Sequence, residues 1–415
     1  MNTNNNISPV WNFSSKGGAP ATSVIREIAK QVSGNPRIIS FAGGLPSPDT
    51  FPISQLKECF DRVLSEQGHV ALQYSSTDGH LPLRQWIAKR LQAKGMEVEV
   101  ENVLMTSGSQ QGLDLVGRVL VEAGDPVYVE LPTYVGATQA LGAYGPVFRG
   151  IRSDDHGIVV DDLLTQAASQ SGRPGLLYTV PNFQNPSGRT LPASRRRSLA
   201  DAAHSLGLVI VEDDPYGELA FDGEMLPTLY SHAPERVIHL GSFSKILCPG
   251  IRLGYVVAPA AVVRRMEQVK QGLDLHTSTL TQMAVHALIR DGFLDVHLPK
   301  VRALYSHQSE VMQAAIVSEF GDMVRFSKPA GGMFLWLELP EHSNTSAMLT
   351  SAIVNDVAYV PGAPFHVNGM GSNTMRLSFA NAHEHAIREG VARLGHVVAE
   401  HMEQYQEQSE LGAPR

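Results

Sequence analysis

The chain has 415 residues, 43% hydrophobic and 18% charged, enough apolar material for a large packed core, which excludes global disorder. A formal charge of −8 without a basic block argues against nucleic acid as a partner, and two cysteines, Cys59 and Cys248, can build neither a disulfide framework nor a thiolate zinc site. No apolar run reaches the roughly 18 residues that span a membrane, and Met1 to Pro9 is polar with no secretory apolar region, so a cytoplasmic protein with no membrane partner is expected.

At ~150 residues per domain the length predicts two or three domains. Residues 1–15 read as a loose tail, and helical text follows from about Thr22 to Val32. Phe41-Ala42-Gly43-Gly44-Leu45-Pro46-Ser47-Pro48 is too rich in glycine and proline to continue a helix. From Val103 a strand–helix rhythm begins. Strands are predicted at Val103–Thr106, Val127–Glu130, Val147–Ile151, Leu176–Thr179, Leu208–Val211, Val237–Leu240 and Gly254–Val257. Helices are predicted between them at Gly112–Glu122, Tyr134–Ala143, Asp161–Gln170 and Ala193–Leu206. Such alternation argues for an α/β fold with a mainly parallel sheet, and near-continuous apolar strands argue for burial on both faces.

After Asp291 the pattern changes. A long helix, Phe293 to Phe320, leads to Met323–Phe326, the alternating Met333–Leu339, another helix, Thr374–Phe379, and a last helix from about Glu384. This predicts a smaller α+β domain, with the polar tail Gln406–Arg415 frayed. No internal repeat is evident.

Five segments carry chemistry. In Gly241-Ser242-Phe243-Ser244-Lys245, running on to Arg252, a lysine follows an apolar strand, on the ligand side of an open α/β sheet. Desolvation and nearby cations would lower its pKa and make it a nucleophile, and the hydroxyls and arginine around it suit an anion. Read alone, it is equally a surface lysine in a Ser/Gly loop. Glu212-Asp213-Asp214-Pro215-Tyr216 closes another strand, with Val209, Val211 and Asp213 on one face. Adjacent acids there could also cap a helix. Ser107-Gly108-Ser109-Gln110-Gln111-Gly112 turns from a strand into a helix, whose free N–H groups and dipole favour phosphate, although it lacks the nucleotide P-loop ending. Asn185, held extended before Pro186, can donate and accept. In Met375-Arg376-Leu377-Ser378-Phe379 alternation sets Arg376 opposite the apolar face, where its planar guanidinium suits a carboxylate, either a substrate's or one within the chain.

Taken together, Phe41–Pro46, Gln73-Tyr74, Ser109-Gln110, Asn185-Pro186-Ser187-Gly188, Glu212–Tyr216, Ser242–Lys245, Gly331-Gly332-Met333-Phe334 and Met375–Phe379 resemble the class I/II aminotransferases of fold type I, which depend on pyridoxal 5′-phosphate. The resemblance is greatest to the 2-aminoadipate/kynurenine aminotransferase group and to the effector domains of related regulators, and it runs from about residue 20 to 400. It implies a large domain with a mainly parallel seven-stranded sheet between helices, spanning 51–300, an N-terminal arm at 1–50 and a small α+β domain at 301–415. It also implies roles. Lys245 would bond to the cofactor aldehyde and, once displaced, move a proton at the substrate Cα. Asp213, chosen over Asp214 for its spacing from Tyr216, would pair with the ring nitrogen. Tyr216 and Asn185 would hold the ring's phenolate oxygen, and Tyr134 would stack on the ring. Ser109, Gln110, Ser242, Ser244 and Arg252 would hold the phosphate, with Tyr74 reaching that of a neighbouring subunit in a homodimer with shared sites.

By the same resemblance Arg376 would clamp the substrate carboxylate, with Asn185 nearby and N–H groups of Gly43 and Gly44 assisting. Arg26 matches a helix that contacts side-chain carboxylates of acidic substrates in this group, and is equally an exposed helix arginine. Phe183-Gln184, before Asn185, varies within the family and decides little. The implied reaction is ping-pong transfer from an L-amino acid of 2-aminoadipate, kynurenine, aromatic or branched-chain type to a 2-oxo acid, with 2-oxoglutarate expected. No metal is expected. The alternatives are a lyase or decarboxylase on the same fold, and a cofactor-sensing regulator. The latter would carry a DNA-binding domain ahead of Phe41, and the residues there are too few for one.

Overall fold

The computed structural model describes residues 24–170 and 172–411. The predicted tail over 1–15 and the start of the first helix lie outside these residues. In chain order the first elements are α1 (Val24–Val32), β1 (Ile39–Ser40), α2 (Ile53–Ala71) and α3 (Leu81–Gln92). The alternating region follows: β2 (Val103–Thr106), α4 (Ser109–Leu120), β3 (Pro126–Leu131), α5 (Val135–Gly142), β4 (Val147–Asp154), β5 (Gly157–Ile158) and α6 (Val160–Ala168). It continues as β6 (Leu176–Thr179), α7 (Ala193–Leu206), β7 (Val209–Asp213), β8 (Val237–Ser242) and β9 (Gly254–Val257). Then come α8 (Ala260–Asp274), α9 (Thr279–Ile289), α10 (Phe293–Phe320), β10 (Arg325–Phe326), β11 (Phe334–Glu338) and α11 (Thr345–Val354). The chain ends with β12 (Val357–Ala358), β13 (Val360–Pro361), β14 (Thr374–Ser378) and α12 (Glu384–Leu411).

The large sheet has the order β2-β9-β8-β7-β6-β3-β4-β5. The seven predicted strands are all in it, joined by the short β5, which turns back antiparallel on β4. β9 is antiparallel to both β2 and β8, so the sheet is mixed at that end. Burial on both faces holds for β2, β6 and β8, which are buried throughout. It fails for β4, where exposed and sheltered residues alternate, because its outer neighbour is only two residues long.

Glycine explains why α4 starts earlier than predicted. Gly112 lies inside the helix, and a Cβ there would stand 3.1 Å from Leu240 and 3.2 Å from Val256, so its bare face lets α4 lie on the sheet. A second, antiparallel sheet, β10-β11-β14-β13, forms from the later strands. Met333–Leu339 alternates in sequence, yet β11 is buried at Phe334 through Leu337, because both faces of this small sheet are covered. The predicted frayed tail from Gln406 is instead helical as far as Leu411, within α12.

Three contacts bring the N-terminal segment to the site. β1 pairs in parallel with β12, Ile39 opposite Val357. The Ser47 N–H donates to Tyr305 Oη on α10 at 3.0 Å. Ile28 of α1 is buried in a cluster with Trp336, Val360 and Phe365, against which Ile25 and Val32 pack. The i, i+3, i+7 spacing of 25, 28 and 32 supplies that one apolar face. Among the described residues no helix is long and apolar enough to cross a membrane.

Candidate active site

The carboxyl ends of β2, β3, β6, β7 and β8 open on the same side of the sheet, where ligands of open α/β sheets bind. A cavity of about 420 Å³ lies there. Its walls include Ser109, Gln110, Tyr134, Asn185, Asp213, Tyr216, Ser242, Ser244, Lys245, Arg252 and Arg376, together with Gly44 and Arg26. Tyr74 does not line it. That ring is 78% exposed and meets His276 edge-on at 6.0 Å.

Lys245 follows the end of β8. Its Nζ donates to the carbonyl of Gly44 at 2.6 Å, so this glycine offers an oxygen to the lysine. Burial, with the charges of Arg376 and Arg252, pushes the ammonium down to about 8. At pH 7 roughly one amine in ten is then neutral, against fewer than one in a thousand for an ordinary lysine, which makes it a usable nucleophile or base.

The alternation in β7 sends adjacent acids to opposite faces. Glu212 lies within 3.0 Å of His239 Nδ1 and accepts the N–H groups of Leu229 and Tyr230. Asp213 faces the cavity. Its Oδ2 accepts the Tyr178 hydroxyl at 2.8 Å, while its Oδ1 is buried with no hydrogen-bond partner. Burial pushes this carboxyl up to about 6, against the pull of Tyr178. Asp214 is committed to a turn, where its Oδ1 accepts Asn182 Nδ2 at 2.8 Å and Gly217 N at 2.9 Å.

Arg376 is buried, and its Nη1 donates to Asn185 Oδ1 at 2.8 Å and its Nη2 to the Ala42 carbonyl at 2.6 Å. Its Nε is buried without a partner. The guanidinium lies over Phe334 at 4.4 Å and Phe365 at 5.3 Å. Among the described residues no carboxylate pairs with it, so the internal ion pair open in the sequence is not formed. Burial pulls it down to about 10, which leaves it a cation at neutral pH. Asn185 Nδ2 donates to Tyr216 Oη at 3.4 Å, which places the amide between the phenol and the guanidinium.

The other end of the cavity is built for an anion. Gly108 caps α4 at φ +93°, and a Cβ there would meet Arg252 Nη2 at 2.5 Å. Only glycine lets the guanidinium approach the helix start. Arg252 donates to Pro249 O at 3.2 Å and Ser107 O at 3.3 Å. The first turn of α4, the Ser109, Ser242 and Ser244 hydroxyls and Arg252 thus converge. Gln110 is partly engaged elsewhere, donating to Gly136 O at 2.8 Å. Tyr134 folds over Gly136, where a Cβ would meet its ring at 2.4 Å.

Sequence reasoning missed Tyr178, Ile25, Val135, Gln139 and Val180, all on the cavity wall. A tyrosine in the apolar run Leu176–Thr179 was a signal, since a buried phenol needs a partner. Gln184, which the motif leaves open, holds two loops together. Its Nε2 donates to Glu130 Oε2 at 2.6 Å and Pro132 O at 2.7 Å, and its Oε1 accepts Ser187 N at 2.8 Å.

An α/β chain with a buried lysine amine and two arginines at the carboxyl edge of its sheet has the groups for transfer chemistry on anionic substrates. The chain belongs to the class I and II aminotransferases, whose family model matches residues 39–394. It is 43% identical to 2-aminoadipate transaminase of Thermus thermophilus, over 92% of this chain and 95% of that protein. It is 41% identical to aromatic-amino-acid aminotransferase 1 of Thermococcus litoralis, over 94% of each. The crystal structure of α-aminoadipate aminotransferase LysN from Thermus thermophilus, complexed with N-(5′-phosphopyridoxyl)-L-leucine, superimposes with a TM-score of 0.88 at 42% identity, covering 94% of this chain and 98% of that one. The fold is therefore fold type I, as expected, and the protein is an aminotransferase.

Proposed function

We propose that the enzyme uses pyridoxal phosphate to move the amino group of an L-amino acid of 2-aminoadipate, aromatic or branched-chain type to a 2-oxo acid, with 2-oxoglutarate as acceptor, in ping-pong fashion. The observation that carries this reading is the convergence of three groups in one cavity: the Lys245 amine, the unpartnered Asp213 Oδ1 and the Arg376 guanidinium without an acid. The Thermus and Thermococcus relatives carry the names of 2-aminoadipate and aromatic amino acids, and the adduct in the Thermus crystal contains leucine.

The residues present fit the cofactor. A buried carboxylate oxygen with no partner suits a protonated ring nitrogen, and the Ser109, Ser242, Ser244 and Arg252 cradle suits a phosphate. When bound, pyridoxal phosphate supplies an aldehyde that reacts with amines and a ring that withdraws electrons from the bonds at Cα. Asp213 keeps the ring nitrogen protonated. Tyr216 and Asn185 would hold the phenolate oxygen, and Tyr134 would cover the ring face. Arg376 with Asn185 orients the substrate carboxylate. Lys245 takes the proton from Cα and returns it, as a base of pKa about 8 can.

A homodimer is part of this reading. The exposure of Leu72, Tyr74 and Leu275, at 71%, 78% and 53%, supports it, with Tyr74 against His276 beside Leu275. So is a cytoplasmic setting, supported by two free thiols, Cys59 and Cys248. The arm at 1–50, large domain at 51–300 and small domain at 301–415 are retained in it, with α10 following the strands of the large sheet and preceding those of the small one in the chain.

The test is an absorbance spectrum of the purified protein with single amino acids and no acceptor. Loss of the aldehyde form, reversed by 2-oxoglutarate, is expected. Release of carbon dioxide or sulfide would move the function to lyase chemistry, and a protein that never takes up pyridoxal phosphate would end the reading.

A further inference from the structure

Behind the anion cradle lies a charged network that does not border the cavity. Lys270, on α8, is fully buried at 0% exposure, and its Nζ donates to Asp274 Oδ1 at 2.8 Å. Asp274 Oδ2 accepts Gln111 Nε2 at 2.7 Å and Ser107 Oγ at 3.3 Å. Gln111 Oε1 in turn accepts the Ser107 N–H at 2.8 Å. The carbonyl of the same Ser107 receives Arg252 Nη2.

A buried ammonium is costly unless it meets a counter-charge. Burial pushes Lys270 down, against the hydrogen bond and charge of Asp274 that push it up. Packing the apolar face of α8 needs no lysine at this position. What the pair does is fix a carboxylate under the turn from β2 to α4, where it grips the turn through a side chain on each side of Gly108. Both the start of α4 and the carbonyl that seats Arg252 depend on that turn.

We propose that Lys270 and Asp274 are positioning residues for cofactor phosphate: they lock the Ser107–Gln111 turn so that the N-terminus of α4 and Arg252 converge on one anion. The proposal rests on the pyridoxal phosphate reading above. Neither residue touches the anion. They act through Ser107 and Gln111.

The experiment titrates the full chain, freed of aldehyde, with pyridoxal phosphate and separately with pyridoxal, which lacks the phosphate. Bound aldehyde is followed by absorbance. Asp274→Asn is the direct variant. Gln111→Met removes the shorter of the two links to Asp274, and the Ser107 N–H contact with it, while leaving the buried ion pair intact, so it remains informative if Asp274→Asn fails to fold. In both, affinity for pyridoxal phosphate should fall about tenfold, the order expected when a charge-assisted hydrogen bond that orders a loop is lost, while affinity for pyridoxal stays unchanged. Equal loss for both aldehydes would mean a general structural role and overturn the proposal, as would unaltered binding of pyridoxal phosphate. Failure of the unaltered chain to bind either aldehyde would overturn the cofactor reading itself, and this inference with it.

Discussion

The Tyr178 hydroxyl donates to Asp213 Oδ2 at 2.8 Å, from the strand beside the one that carries the acid. The bond favours the ionised carboxylate, which burial disfavours. Tyr178→Phe removes the donor and adds nothing, so the Asp213 pKa must rise from about 6. A hydrogen bond to a charged group contributes ~1.5–3 kcal/mol, or about one to two pH units. Because cofactor binding needs the ionised carboxylate, the affinity of the cofactor-free variant for pyridoxal phosphate should fall about tenfold at pH 7, with the deficit shrinking as pH rises. A loss that is the same at every pH would show that the phenol matters only for packing.

Lys245→Ala should abolish the absorbance of bound aldehyde and lower turnover by at least ~10³-fold, the range for losing both a nucleophile and a proton carrier. The fold should persist, because the side chain makes one hydrogen bond, to Gly44 O, and faces the cavity. Circular dichroism and turnover assays decide it. Near-normal rates in this variant would remove the lysine from the chemistry.

Glu130 offers a stability test independent of catalysis. It is buried on β3, accepts hydrogen bonds from Thr179 and Gln184, and is pushed up to about 7 by burial. The native state thus binds this proton more tightly than the unfolded chain, whose carboxyl titrates near 4.5. Stability must fall as pH rises between those values and stay lowered above 7. Glu130→Gln keeps an acceptor for Gln184 and offers a donor to Thr179, so it removes the penalty without emptying the site. It should stabilise the protein by on the order of 2–3 kcal/mol at pH 8 and by little at pH 4. Denaturant melts at the two pH values check this, and an equal effect at both would mean that the native and unfolded states bind the Glu130 proton alike.

Much of this was legible in the sequence for definite reasons. The limits of β2, β6 and β9, of α7 and of α10 coincide with apolar runs or helical spacing bounded by glycine, proline or polar residues. The strand–helix rhythm says nothing of 53–92 or 260–289, where α2, α3, α8 and α9 lie. β5, β12 and β13 are two residues long and exist only through their partners. The cavity residues in motifs were found, but Tyr178, Gln184 and Asp274 were not. Their roles come from strand register and from loops that meet across the fold, and local spacing cannot carry that.

Arg376 donates to Asn185 and Ala42 and meets no acid among the described residues. An anionic substrate group would complete it. Arg376→Met should raise KM for the amino acid about 100-fold, matching ~3 kcal/mol for charge-assisted hydrogen bonds, and should raise kcat nowhere. Stability of the cofactor-free protein should hold or increase, since an uncompensated buried cation is removed. An unchanged KM would place the carboxylate clamp elsewhere.

Arg26 reaches the same cavity from α1, whose Ile25 and Ile28 seat it against the small sheet. Arg252 and Arg376 are the cations for the phosphate and the substrate α-carboxylate, so a group met by Arg26 is a third one. A substrate with a second carboxylate supplies one, and an aromatic substrate does not. Arg26→Gln should therefore raise KM for 2-aminoadipate about tenfold, the cost of one charge-assisted contact, while KM for phenylalanine changes less than about twofold. Ile25 and Ile28 stay in place in this variant, so the seating of the helix is kept, and the two substrates share the α-amino acid portion held by Arg376. If both KM values rise together, Arg26 serves the closure of the site and not the choice of substrate. If neither moves, the arginine is a surface charge and the discrimination belongs to other cavity residues such as Gln139 or Val135.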